Sequence, residues 1–122
     1  MPLTIITNSV TSIGTTTATC GGNSISGTIT GSITAKGVCW DTIANPTVSL
    51  ATKTNDGTGN ANFTSSITSV TSGTTYYVRA YVTDGSGTYY GSNIVFTTLG
   101  LSLNSPLTSI TETSAISTTI NV

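Results

Sequence analysis

Histidine is absent from the 122 residues, and charge is nearly so: three Lys and Arg, four Asp and Glu, and a formal net charge of −1. Without an imidazole the usual serine and cysteine triads cannot be assembled. The acids do not make up for it. Asp56 and Asp84 sit in Asp-Gly turns, while Asp41 and Glu112 stand alone, so no pair is set to flank a glycosidic bond. Two cysteines with no histidine cannot form an ordinary zinc site, and a loop calcium site would have at most one charged ligand. Three basic groups offer no face for neutralising phosphates, which argues against nucleic acid and anionic membrane as partners. The composition therefore points away from an enzyme, and no cofactor is expected.

Long apolar runs are missing too. Nothing approaches the roughly 18 consecutive apolar residues of a membrane-spanning helix. The opening MPLTIITNSV has neither the cationic nor the apolar region of a signal peptide. No 3.6-residue apolar stripe runs through the chain, so helices are not expected.

What fills the chain is Thr, Ser, Gly and Asn among β-branched residues, in short alternating runs punctuated by turns. The surface must be made mostly of uncharged polar groups, a composition that suits an extracellular β-protein. A net charge near zero also gives little protection against self-association. The runs predict strands at 10–13, 16–21, 33–40, 48–53, 62–67, 75–83 and 88–98. Asp56-Gly57 and the DGSG of Asp84–Gly87 supply the turns. Alternation places Phe63, Ile67, Tyr76, Val78, Ala80, Val82, Tyr90, Ile94 and Phe96 inside, and Tyr77, Arg79, Tyr81, Tyr89 and Val95 outside. Strand 33–40 has two registers. The preferred one turns Ile33, Ala35, Gly37 and Cys39 inward and leaves Trp40 outside, beside Tyr77 and Tyr81.

The segment VTSGTTYYVRAYVTD resembles strand F of fibronectin type III domains, through Gly73, Thr74, Tyr76 and the alternating Val78, Ala80 and Val82. The longer stretch from Lys36 to Thr98 resembles the fibronectin-type-III-like (Ig-like) tandem repeats of secreted and surface proteins of Bacteroidota-type bacteria, over residues 10 to 98. The resemblance implies an all-β, seven-stranded Ig-like sandwich, an extracellular or cell-surface location, and partners that are copies of the same unit. Such sandwiches serve as spacers, adhesins and accessory modules alike. Gly73 and Tyr76 resemble the tyrosine corner, in which the hydroxyl bonds the backbone of the preceding connection. The repeats usually carry an aliphatic residue in place of Cys20, whereas a cysteine is common at the position of Cys39. In the preferred register both thiols point inward from opposite sheets, as a cross-core disulfide or as two buried free thiols.

The end of the chain repeats its beginning. Thr11, Ser12, Ile13, Thr16 and Ala18 match Thr108, Ser109, Ile110, Thr113 and Ala115 at a constant separation of 97 residues (108 − 11), and Leu107 stands where Val10 stands. The expected organisation is a linker over 1–9, a sandwich over 10–99, and over 100–122 the linker and first strands of a following repeat. Leu107, Ile110 and Ala115 lie in that last segment, which could equally be donated to a neighbouring molecule.

Three surface readings complete the set. The outward row Trp40, Tyr77, Tyr81 and Tyr89, with Arg79 stacked between Tyr77 and Tyr81, would serve as a glycan-binding face, a contact with a neighbouring copy, or simple cross-strand pairing. Asn62-Phe63-Thr64 is an N-glycosylation sequon, and Asp41-Thr42-Ile43 resembles a bacterial O-glycosylation motif centred on Thr42. The function expected is a non-catalytic structural or adhesive repeat of an extracellular fibre, self-associating head to tail. The alternative is a carbohydrate-binding accessory module of a secreted enzyme.

Overall fold

The computed structural model describes residues 2–100. Leu107, Ile110, Glu112 and Ala115 lie outside the described residues. The architecture is all-β: β1 (Thr4–Thr7), β2 (Ala18–Ser26), β3 (Ala35–Asp41), β4 (Phe63–Ile67), β5 (Thr75–Asp84), β6 (Gly87–Tyr90) and β7 (Ile94–Thr97). One sheet has the order β1-β2-β4; the other has β3-β5-β6, with β7 also paired to β5. All pairs are antiparallel.

The two inner faces enclose one core. Ala18, Cys20, Phe63 and Ile67 come from the smaller sheet and Val38, Trp40, Tyr76, Val78, Ala80, Val82 and Phe96 from the larger. Alternation along β4 and β5 is what the sequence predicts: β4 buries Phe63, Ser65 and Ile67 and exposes Thr64 and Ser66, and β5 turns Tyr76, Val78, Ala80 and Val82 inward and Tyr77, Arg79 and Tyr81 to the other face.

Four expectations are corrected. The linker over 1–9 is a strand: Leu3 and Ile5 are core residues at 3% and 5% exposure, so β1, and not residues 10–13, is the edge strand of the smaller sheet. Residues 10–13 contribute only a bridge between Thr11 and Thr19. The strand expected at 48–53 is replaced by an irregular edge at 52–56. There Trp40 N donates to Thr52 O at 3.0 Å, Thr54 N to Val38 O at 2.8 Å and Asp56 N to Lys36 O at 2.6 Å.

Third, β3 takes the other register. Its pairing sets Lys36, Val38 and Trp40 beside Val82, Ala80 and Val78 on the inner face, and Cys39 beside Arg79 on the outer. Five consecutive residues of β3 are buried, because segment 44–56 covers its outer face, and a strand buried on both faces carries no usable alternation. Fourth, the single strand expected at 88–98 is broken into β6 and β7. Tyr90 pairs with outward Tyr81 and Ile94 with inward Val78, so parity flips between them. Thr7 of β1 fills the break: its hydroxyl donates to Ser92 O at 2.7 Å and accepts from Ala80 N at 3.0 Å. A Cβ on Gly91 would lie 2.5 Å from the Thr7 hydroxyl, which is why glycine stands there.

Candidate functional site

The outer face of the larger sheet is where the interaction face was expected, and the structure fills it with the chain's own loop. Arg79 Nε donates to Pro46 O at 2.7 Å, and its guanidinium lies 3.9 Å from the Tyr90 ring centroid. The stacking partner is therefore Tyr90, not Tyr77 or Tyr81. Tyr90 in turn accepts from Val48 N at 3.0 Å, while Asn93 Oδ1 accepts from the Asn45 backbone N–H at 3.0 Å and Asn93 Nδ2 donates to Asn45 Oδ1 at 2.8 Å. Tyr81 is 3% exposed, with its hydroxyl donating to Thr54 O. Burial, with the nearby Asp56 charge a lesser cause, pushes that phenol upward from its ordinary value. The only arginine and two tyrosines thus hold segment 44–56 onto the sheet.

The aromatic row does not form. Trp40 is 4% exposed in the core and Tyr89 packs against that core from the rim, because β3 and β6 take the opposite parity. Tyr77, half-buried beside Asp41 and Val95, is the one member that stays half-open on the outer face; Tyr89 is equally half-buried but stands on the other side, its hydroxyl 2.7 Å from that of Ser86. A line of exposed rings on which sugars could stack is therefore missing among the described residues.

The thiols lie on opposite faces of the larger sheet. Cys20 is in the core, with Sγ 3.3 Å from Asn8 O; Cys39 is under segment 44–56, with Sγ 3.4 Å from Pro46 O. Both are free, and the cross-core disulfide is ruled out because β3 itself separates them. Burial raises the Cys20 thiol and pushes Cys39 up to about 11, so both stay protonated at neutral pH.

The tyrosine corner is present as the sequence predicts. Tyr76 accepts from Thr71 N at 2.8 Å, and its ring stacks on Phe96 at 5.7 Å between centroids. Gly73 holds φ +60° in the same turn, and its N–H bonds Leu99 O at 2.9 Å. Asp84 is a turn residue: it accepts from Thr30 N, Ser86 N and the Ser86 hydroxyl, each at 2.9 Å, and these bonds hold its carboxyl below the ordinary value. Asp56 accepts from the hydroxyls of Thr54 and Ser65 at 2.7 and 2.6 Å. Among the described residues no group of three metal-ligating side chains exists and there is no pocket.

Thr42 and Asn62 are both exposed. Asn62 accepts from Ser24 N at 3.3 Å, and Thr42 N donates to Asp41 Oδ1 at 2.8 Å, leaving the Thr42 hydroxyl free to solvent. Two residues were not singled out from sequence. Lys36, 4% exposed, donates to Gly59 O and Ala61 O at 3.1 and 2.8 Å with Phe63 5.7 Å away; Thr7 makes the stitch described above. The inward register of Val38 and Trp40 would have turned Lys36 inward with them. Nothing local marks Thr7.

No protein-family model matches the chain, and no curated protein matches it. Solved structures do. The sensor domain of the anti-sigma factor RsgI4 of Pseudobacteroides cellulosolvens is similar at TM-score 0.59 and 23% identity, over 99% of this chain and 92% of that one. A shorter form of the same domain aligns at TM-score 0.58 and 21% identity, over 83% and 98%. A human fibronectin type III domain aligns at TM-score 0.58 and 12% identity, over 84% and 78%. At these identities the likeness is one of fold, and the fold is a fibronectin type III-like β-sandwich.

Proposed function

We propose that the chain is a non-catalytic, extracellular structural repeat, one unit of a serial array of like sandwiches. The observation that carries this reading is the position of the two ends of the sandwich together with the repeat in the sequence. β1 begins at the pole where Thr4 faces Ser26 and where Asp84 and Gly87 close the β5–β6 turn. β7 ends at the opposite pole, where Thr97 faces Thr75 and Leu99 N bonds Gly14 O at 3.0 Å. A unit entered at one pole and left at the other extends a chain of units in line. The residues that follow restate Thr11–Ala18 as Thr108–Ala115.

The surface fits that role. Reactive groups are few, the thiols are buried and protonated, and the single arginine is spent on an internal loop. Thr42 and Asn62 are open to glycosylation, which would supply the solubility that charge does not. The carbohydrate-binding alternative loses its support, since Trp40 and Tyr81 are buried and Tyr89 lies on the opposite side of the sheet from Tyr77, so the rings form no common face.

Electron microscopy of the native material tests the reading. β5 has 10 residues, so one unit is about 33 Å long, and beads recurring at about 35 Å are expected. Isolated particles on a larger unlike body would overturn it.

A further inference from the structure

Segment 44–56 covers the outer face of the larger sheet in two different ways. Its second half is an added edge, in which Thr52, Thr54 and Asp56 share backbone bonds with Trp40, Val38 and Lys36. The first half shares none. Among the described residues no backbone–backbone bond joins 43–50 to the sheet, and the one within it runs from Leu50 N to Thr47 O at 3.1 Å. Only Pro46 is buried there; Val48 and Leu50 are half-buried and the rest are exposed. A segment held this lightly opens at a lower free energy than the sheet beneath it.

What holds the first half is a set of four side chains carried by the sheet. Asn93 takes both the backbone N–H and the side-chain oxygen of Asn45. Arg79 Nε and Cys39 Sγ both donate to Pro46 O, at 2.7 and 3.4 Å, and the Tyr90 ring lies under the guanidinium. The Tyr90 hydroxyl accepts from Val48 N. The segment from Thr42 to Leu50 carries no charge, and what the sheet reads in it is main chain plus one amide side chain. Aromatic and donor groups on a rigid surface, reading the backbone of a proline-containing segment, are the parts of a peptide-binding face.

The tether limits the fit at one end. Asn45 takes φ +63°, in the left-handed region, where the chain turns back toward β3, and Ile43 is left 71% exposed. Beside that turn the same face is open, with half-buried Tyr77 paired to Val95, which is 56% exposed. A peptide without the tether needs no turn at its Asn. It continues extended over Tyr77 and Val95 and covers apolar surface that the chain's own segment leaves bare.

We infer that the outer face of the larger sheet is a peptide-binding site held closed by segment 43–50, and that its partner is an uncharged, extended segment of another polypeptide. The partner has the pattern Asn-Pro-x-Val, with apolar residues before the Asn. The chain's own segment is the competitor, and the partner enters when that segment swings away. This stands independently of the serial reading.

The probe is a labelled synthetic peptide of residues 42–50, titrated into the full chain. Asn45→Ala with Val48→Pro removes the segment's hold on Asn93 and Tyr90 and leaves the face itself intact. The peptide should bind this opened variant at least about tenfold more tightly than the unmodified protein, whose face is free only in the released fraction. Adding Asn93→Ala or Tyr90→Phe to the opened variant should weaken binding by about threefold or more, and a peptide with Ala in place of its Asn and Pro should not bind. Hydrogen exchange in the unmodified protein reads the same latch without any substitution. The Asn45 and Val48 amides should exchange at least about tenfold faster than those of Trp40 and Thr54. Equal protection of the two pairs would overturn the proposal, as would a folded opened variant that binds the peptide no better than the unmodified protein or binds it regardless of Asn93 and Tyr90.

Discussion

Removal of one oxygen at Tyr76 probes the turn that ties the β4–β5 connection to the core. In Tyr76→Phe the ring keeps its stack on Phe96, so the apolar contribution is retained and only the bond from Thr71 N, 2.8 Å long, is lost. An orphaned backbone donor costs about 1–3 kcal/mol, and water reaching exposed Thr71 places the change in the lower part of that range, about 1–2 kcal/mol. For a domain of about 100 residues this corresponds to a melting point lower by roughly 5–12 °C. Urea unfolding should show a lower midpoint with an unchanged slope, because the surface exposed on unfolding is the same. Tyr77→Phe is the control: its hydroxyl bonds nothing among the described residues, so the change should stay within about 0.5 kcal/mol. If the two variants lose the same stability, the corner does not anchor the turn and the reasoning fails.

The covered outer face makes a second prediction. A Cβ at residue 37 would collide with the backbone oxygen of Thr54, so Gly37→Ala should push the 52–56 edge off β3 and cost about 1–3 kcal/mol, read by chemical denaturation. The loosened loop should also open Cys39 to alkylation. In the unmodified protein neither thiol should react with iodoacetamide at pH 8, since Cys39 near 11 is about one part in a thousand thiolate and Cys20 is raised as well. Both should react after unfolding, and the intact mass should show no loss of two hydrogens; a disulfide-sized deficit would contradict the assignment of faces. Asp84 predicts the acid limb. Its folded value lies below the ordinary 3.8, so its contribution is full above that pH and is lost as pH falls through the lower folded value. Asp84→Asn should flatten the stability profile below about pH 4, and an unchanged acid limb would remove the Thr30 and Ser86 bonds as its cause.

The strands that could be read from sequence are those whose inward residues are apolar and whose outward residues are polar or amphipathic, whether that outer face is open, as on β4, or partly covered, as on β5. Along β4 and β5 the alternation of Phe63, Ile67, Val78, Ala80 and Val82 against Thr64, Ser66 and Arg79 is the pattern a half-buried strand must have. β3 defeats it because segment 44–56 buries the outer face as well, so Cys39 at 0% and Trp40 at 4% exposure look alike to any rule of alternation. The 87–97 stretch fails for another reason. A strand interrupted by a docking partner changes parity at the break, and the partner, Thr7, is more than 70 residues away in sequence. β1 escaped notice because four residues with two polar ends resemble a linker. The tyrosine corner was legible because its signal is local: Gly73 in the turn, and Tyr76 within reach of the Thr71 N–H. The aromatic face was not, since whether a ring is a ligand platform or core filling depends on a register that only pairing decides.

The central claim is that this chain is one unit of a serial array. It is tested most directly by the mass of the native polypeptide carrying it, taken under denaturing and reducing conditions and then after limited proteolysis. At 12.3 kDa for 122 residues, a 97-residue period weighs about 10 kDa. The account predicts a very long chain that proteolysis cuts into a ladder with rungs about 10 kDa apart. A short polypeptide no larger than one unit, or a long one that yields no such ladder, would contradict it.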